Sequence, residues 1–327
     1  MSQLRLDPLT GRWVVVSLER GERPFAFMPR SLPVEGDPGR PCPFCSEYAD
    51  AQPPSLEAMG PDGNWQVRIV PNLYPAFRGT AAMAVTNLGP VYTQAPGSGI
   101  HEVVVLSPKH PATFADLSDP QSLQVMQALA DRIGQHVTVP GLRYSQAIIN
   151  AGREAGASLE HPHGQLLGMP FVPREITDEQ AGFARFAGNC LLCTTAEAEE
   201  SAGHRVVFAD DDVQVVCPFW SGTPFEMLIT PRAHEPHLHD ADASALGGVG
   251  RGLQRALELL RWKLGDVAYN VAFHAAPYRS GSDFHWHAHV LPKMATRAGF
   301  ELGTGVLINV VPPEQAALEL RSASAAA

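Results

Sequence analysis

The residues able to do chemistry concentrate in two histidine clusters. Glu160-His161-Pro162-His163-Gly164-Gln165 is echoed 124 residues later by Phe284-His285-Trp286-His287-Ala288-His289. Each has a Cys-x-x-Cys pair upstream, Cys42/Cys45 and Cys190/Cys193, and a further histidine between, His110 and His234. From His110 to His161 is 51 residues, and from His234 to His285 is also 51. A Cys-x-x-Cys pair supplies two ligands of a tetrahedral zinc site and distant histidines supply the rest. The repeat thus assigns Cys42, Cys45, His110 and His161 to one zinc and Cys190, Cys193, His234 and His285 to a second. Four protein ligands close a site to water, so these metals are expected to organise the fold rather than catalyse. Glu179, His274, His287 and His289 form a competing second set, of a composition suited to iron or zinc. It has no counterpart in the first half.

His163 is the histidine of the first cluster without a metal assignment. If a metal pins His161, then His163, two residues along an extended strand, shares its face at a displacement of roughly 7 Å. Pro162 restricts the backbone beside it, and Gly164 is expected to let a ligand approach closely. A neutral imidazole is a competent nucleophile toward phosphorus. Gln165, on the same face again, can donate a hydrogen bond to a phosphoryl oxygen as charge builds there.

These clusters must be held by elements that also repeat. In the first half the Cys-x-x-Cys pair is followed by strand-like runs at 67–72 and 101–110. A helix over 121–133 comes next, with Leu123, Met126, Leu129 and Ile133 on one face, and then a strand at 144–150. The second half repeats the order with 213–218, 225–234, a helix over 245–264 carrying Leu246, Val249, Leu253, Leu257 and Leu260, and a strand at 267–274. The expected fold class is α+β: two tandem repeats, each an antiparallel sheet with a main helix, packed into one pseudo-duplicated unit. The expected domains are 1–175 and 176–321, with the boundary inside 171–188 and a disordered tail at 322–327. Gly/Pro-rich segments at 31–41 and 93–100 read as exposed loops. Cys217, in an apolar run, reads as a buried core residue.

A chain of 327 residues with 45% hydrophobic residues can bury a large core. Its net charge of −10 argues against nucleic-acid or anionic-membrane binding, both of which need clustered Lys/Arg. A small phosphorylated ligand needs only a local basic group, and Arg20, Arg23, Arg68, Arg78 and Arg153 all lie in the first half. The first residues lack the apolar core of a signal peptide and no run is long enough to span a bilayer, which places the expected location in the cytoplasm. A non-catalytic zinc-binding module that binds nucleic acid would lack its basic surface and leave the His163 motif unexplained.

Over nearly its whole length the chain resembles the galactose-1-phosphate uridylyltransferase family, a branch of the histidine-triad superfamily. The resemblance is carried by Asp7-Pro8-Leu9-Thr10-Gly11-Arg12-Trp13, the segment Glu19 to Pro24, Cys42-Pro43-Phe44-Cys45 and Pro71-Asn72-Leu73-Tyr74-Pro75. It continues in Ser107-Pro108-Lys109-His110, Asn150 through Gln165, and Ala298-Gly299-Phe300-Glu301. It implies nucleotidyl transfer by double displacement: His163 attacks the α-phosphorus of UDP-glucose, and galactose 1-phosphate then takes the uridylyl group. Gln165 and Ser158 would hold phosphoryl oxygens, Asn150 and Asn72 the nucleotide side, Arg23 the phosphates and Glu301 sugar hydroxyls, with Gly156 in the substrate-binding loop. A homodimer acting on small-molecule substrates is implied too. Larger members of the family place a second metal on positions matching Glu179, His274, His287 and His289. Two-zinc relatives include plant ADP-glucose phosphorylases, so phosphate as the acceptor is the alternative reading. Past Glu301, Leu302-Gly303-Thr304-Gly305 offers no counterpart of a glutamine that contacts the hexose in the larger enzymes.

Overall fold

The computed structural model describes residues 2–22, 41–45, 47–48, 52–61, 64–79, 83–110, 112–280 and 283–324. Strands β1 (Gln3–Leu6) and β2 (Trp13–Val16) form a hairpin. The first repeat follows with β3 (Glu57–Met59), β4 (Val67–Pro71), the short strands β5 (Thr86–Asn87) and β6 (Thr93–Gln94), and β7 (Ile100–Val105). It closes with helix α1 (Asp119–Val137), β8 (Tyr144–Ala151) and β9 (His163–Met169). Helices α2 (Arg174–Arg185) and α3 (Leu191–Ala202) lead to β10 (Val206–Ala209), β11 (Val213–Val216), β12 (Met227–Pro231), α4 (Ala243–Leu264), β13 (Tyr269–His274) and β14 (His287–Pro292). The chain finishes with α5 (Gly299–Thr304), β15 (Leu307–Asn309), which joins the hairpin beside β2, and α6 (Pro313–Ser324).

Ten strands form one sheet in the order β10-β11-β12-β14-β13-β8-β9-β7-β4-β3. Outward from the β8–β13 seam both halves repeat one order, β8-β9-β7-β4-β3 and β13-β14-β12-β11-β10. At the seam Asn150 pairs with Asn270 and Ile148 with Ala272, so the two repeats share a continuous antiparallel ladder. Helices α1 and α4 cover one face. Their apolar stripes, Val125, Met126, Leu129 and Ile133 with Leu246, Val249, Leu253, Leu257 and Leu260, are buried against Val104, Ile149, Leu166, Ile229, Val271 and Val290. The Asp242 carboxylate caps α4 by accepting from Ala245 N at 2.8 Å. With both faces covered, β12 is buried at every position rather than at alternate ones. Cys217 is buried in the same core, as its apolar run implied.

The boundary region 171–188 is mostly helix, α2, packed through Ile176 and Phe183. The fold departs from expectation in two places. Within 93–100, β6 pairs with β5, while Ser98 and Gly99 are buried where a Cβ on Gly99 would lie 2.2 Å from the Gly168 carbonyl. The tail expected to be disordered from Ser322 continues α6 to Ser324, because Ala316, Ala317 and Leu320 anchor that helix on the core. The Gly/Pro-rich residues 31–40 and the end of the tail, 325–327, lie outside the described residues. Among the described residues no helix is long and apolar enough to cross a membrane.

Candidate active site

His163 opens β9 on the sheet face opposite α1 and α4. Leu106 N donates to the Pro162 carbonyl at 3.0 Å, which prolongs the β7–β9 ladder and sets the strand before the histidine. His163 is 7% exposed, its ring 5.3 Å from the Phe44 ring between centroids. The residue is also among those bordering a cavity of about 470 Å³, with Asn150 and His161 and, from the helix-covered face, Phe114, Leu257, Leu260 and Tyr269. His163 Nδ1 lies 2.8 Å from the His161 carbonyl oxygen. A carbonyl only accepts, so Nδ1 carries the ring proton and Nε2 keeps its lone pair. Burial pulls the His163 pKa below its ordinary value, which keeps that lone pair available at neutral pH. A Cβ on Gly164 would lie 2.8 Å from the Ile148 carbonyl oxygen, so glycine is required by the close approach of β8 to β9.

Gln165 follows on the same face, its Oε1 2.8 Å from His101 Nε2. Asn72 Nδ2 is 3.2 Å from the same nitrogen, and Asn72 Oδ1 accepts from Tyr74 N at 2.8 Å. Asn150 lines the cavity with His163, its Oδ1 accepting from Asn270 Nδ2 at 2.7 Å; Asn270 also donates to the Ala155 carbonyl at 2.8 Å. The second repeat therefore orients a residue of the first repeat's site. Gly156 has φ +86° and turns the chain after a short helical turn, leaving Ser158 exposed on the loop that runs into His161. Glu301 is not brought to this cavity. It accepts from Ala298 N at the start of α5 and lines a separate cavity of about 400 Å³ with Asp7, Arg12 and Glu226. Arg23 lies outside the described residues. Arg68 is buried with its guanidinium 5.1 Å from the Trp65 ring, not presented to a surface ligand. His101 and Asn270 were missed as site residues. The alternation His101, Val103, Val105 along β7 placed His101 on the His163 face, but its partner depends on strand register.

Both Cys/His sets are assembled. Cys42, Cys45, His110 and His161 bring four ligand atoms within 4.8 Å of one another, as do Cys190, Cys193, His234 and His285. His161 Nε2 donates to the Ser107 carbonyl at 2.7 Å, so Nδ1 turns its lone pair inward, 3.2 Å from His110 Nδ1 and 3.7 Å from Cys45 Sγ. In the second set, sulfur-to-nitrogen distances are 3.6 Å from Cys190 and 3.5 Å from Cys193 to His285, and 3.8 Å from Cys193 to His234. Ordinary zinc–sulfur and zinc–nitrogen bonds at tetrahedral angles give edges of about 3.5 Å between S and N and about 3.3 Å between two N. The donor sets fit a tetrahedral metal. Cys190 also caps α3, which seats Cys193 in its first turn.

Glu179, His274, His287 and His289 converge as well, their ligand atoms likewise within 4.8 Å. This set and the Cys190 set are separate clusters, not competing uses of one site. Glu179 comes from α2, His274 from the end of β13, His287 and His289 from β14. Glu179 Oε1 is 2.8 Å from His274 Nδ1, while Glu179 Oε2, His287 Nε2 and His289 Nε2 are buried without a hydrogen-bond partner among the described residues. Burial works to raise the Glu179 pKa, but His274, His287 and His289 hold it at about 2. The segment Asp7–Trp13 clamps α2 in place. Arg12 bridges Glu175 at 2.7 Å and Asp178 at 2.8 Å, and a Cβ on Gly182 would lie 1.9 Å from the Leu9 carbonyl oxygen.

Two histidine-triad-like repeats holding a buried histidine whose Nε2 keeps its lone pair form a frame suited to nucleotidyl transfer. Residues 1–173 match the model of the galactose-1-phosphate uridyl transferase N-terminal domain, and residues 199–296 match the HIT domain. An Arabidopsis thaliana ADP-glucose phosphorylase is 31% identical over 98% of this chain and 93% of its own length. A Thermotoga maritima galactose-1-phosphate uridylyltransferase is 28% identical over 98% of each. The structure of an Arabidopsis thaliana ADP-glucose phosphorylase with bound ADP-glucose superposes with a TM-score of 0.84 at 30% identity, covering 98% of each chain. The chain belongs to the galactose-1-phosphate uridyl transferase family.

Proposed function

We propose that the protein is a nucleoside-diphosphate-hexose nucleotidyltransferase working through a covalent nucleotidyl-histidine at His163. The observation that carries this is the His163–His161 hydrogen bond, which leaves Nε2 as the free nucleophile. Nε2 attacks the α-phosphorus of the nucleotide sugar, a P–N bond forms, and the P–O bond to the hexose phosphate breaks. Hexose 1-phosphate leaves. An acceptor phosphate oxygen then attacks the same phosphorus and regenerates His163; two inversions give net retention. Gln165 and Ser158 hold the phosphoryl oxygens, Asn150 and Asn72 belong to the nucleotide side, and Gly156 lies in the substrate-binding loop.

ADP-glucose with inorganic phosphate as acceptor is the favoured substrate pair, yielding ADP and glucose 1-phosphate. The full-length likeness to the plant phosphorylase and the two complete Cys/His sets support it. This reverses the order that the sequence resemblance suggested. UDP-glucose with galactose 1-phosphate is the second reading, supported by the family model and the Thermotoga relative. The two Cys/His sets hold zinc as structural metal, and the Glu179 set holds iron or a further zinc. A cytoplasmic homodimer completes the proposal. Steady-state assays of each sugar nucleotide with each acceptor test the substrate assignment. Turnover of ADP-glucose only with phosphate is expected; turnover confined to UDP-glucose and galactose 1-phosphate makes the protein a uridylyltransferase.

A further inference from the structure

We propose that His101 is a positioning residue that fixes the Gln165 amide so that its N–H groups, not its oxygen, face the phosphoryl group. This rests on His163 as the nucleophile. Ala76 N lies 3.0 Å from His101 Nδ1. A backbone N–H only donates, so Nδ1 holds a lone pair and the ring proton sits on Nε2. His101 Nε2 is 2.8 Å from Gln165 Oε1, and the N–H can donate there only if the oxygen occupies that position. Asn72 Nδ2, 3.2 Å from the same nitrogen, is itself a donor and makes no hydrogen bond with the protonated Nε2. The planar amide then turns its NH2 away from His101. Gln165 Nε2 has no hydrogen-bond partner among the described residues, so neither of its donors is taken up by the protein there.

The turn that makes this possible is built by Asn72. Its backbone N donates to the His101 carbonyl at 3.0 Å, and its side-chain oxygen accepts from Tyr74 N, which folds the chain so that Ala76 N–H meets the imidazole. Asn72 thus acts on the site through His101, beside any contact it makes with nucleotide. The consequence for the reaction is electrostatic. Charge grows on the non-bridging phosphoryl oxygens during transfer, and an amide presenting N–H stabilises it while one presenting oxygen repels it. Without His101 the amide samples both orientations and must be ordered at each transfer.

Single-turnover nucleotidylation of His163 measures the effect. His101→Ala is expected to slow it about 2- to 10-fold, the cost of ordering one freed side chain, with half-saturation by nucleotide sugar unchanged. His101→Gln, whose amide nitrogen reaches the place of Nε2, is expected to restore most of the rate. In a Gln165→Ala background His101→Ala should have no further effect; equal slowing in both backgrounds overturns the proposal. Long-range proton–nitrogen correlation spectra of the wild type, with the His101 signals assigned by their loss in His101→Gln, need no turnover. The Nε2–H tautomer is expected, and Nδ1–H overturns the proposal whatever the reaction. A wild type that takes no label from any nucleotide sugar would instead remove the nucleotidyl-transfer reading, leaving the tautomer to decide the geometry.

Discussion

His163 Nδ1 donates to the carbonyl of His161, two residues earlier, at 2.8 Å. The second repeat makes the same bond between His287 and His285, also at 2.8 Å. One local device therefore fixes the same tautomer twice, and the surroundings decide its use. His163 is among the residues bordering a cavity, whereas His287 Nε2 is buried 3.7 Å from a Glu179 oxygen. The first arrangement suits a nucleophile and the second a metal ligand.

Gln165→Ala removes a donor aimed at developing charge. Its expected effect is a fall in kcat of about 10²- to 10³-fold, as for loss of one oxyanion donor. Steady-state kinetics check this, and a rise confined to KM would place Gln165 in ground-state binding instead.

Cys190→Ser should lower bound zinc by one per chain and leave the other metals in place, because the Cys190 and Glu179 sets are separate. Glu179→Gln should do the converse. Elemental analysis of the purified variants decides, and an unchanged content in Cys190→Ser would show that its cluster holds no metal.

Glu102 anchors α1 to β7. Its carboxylate is paired with Arg132, with Nε at 2.7 Å, and with His136 at 3.2 Å, whose other nitrogen meets Ser145 Oγ at 2.8 Å. Burial alone would raise the Glu102 pKa, but Arg132 and His136 hold it below its ordinary value. A depressed folded-state pKa contributes stability above the unfolded value, near 4.5, that is lost as pH falls through the lower folded value. Glu102→Gln should thus cost about 3 kcal/mol at pH 7. In urea titrations the gap to wild type should close below pH 4.5; a gap independent of pH would contradict the ion pair's role.

Gly164→Ala forces a Cβ against the Ile148 carbonyl and should destabilise by about 1–3 kcal/mol. Urea unfolding measures this. An unaltered midpoint with weakened nucleotide binding would restore Gly164 to the ligand side.

Much of the architecture was legible because the chain states it twice. The 51-residue intervals from His110 to His161 and from His234 to His285 reflect the same hairpin, helix and closing strand, and apolar stripes such as Leu253, Leu257 and Leu260 mark the covering helices. The shared sheet was not legible, since Asn150 and Asn270 are 120 residues apart and nothing local specifies that two repeats pair edge to edge. Nor was the coexistence of the Cys190 and Glu179 clusters, because it depends on where α2 packs. The steric reason for Gly164 was hidden for a related reason. Glycine beside a reactive histidine suggests room for a ligand, while the need for it in the close pairing with β8 depends on strand register.

The most direct test of the central claim is to trap the intermediate. Wild-type protein incubated with ADP-glucose or UDP-glucose labelled at the α-phosphorus, then quenched and digested, should carry an acid-labile, base-stable label on the peptide containing His163. The His163→Ala variant should be folded, retain its zinc and carry none. Label on another residue, or equal label in His163→Ala, would contradict the account.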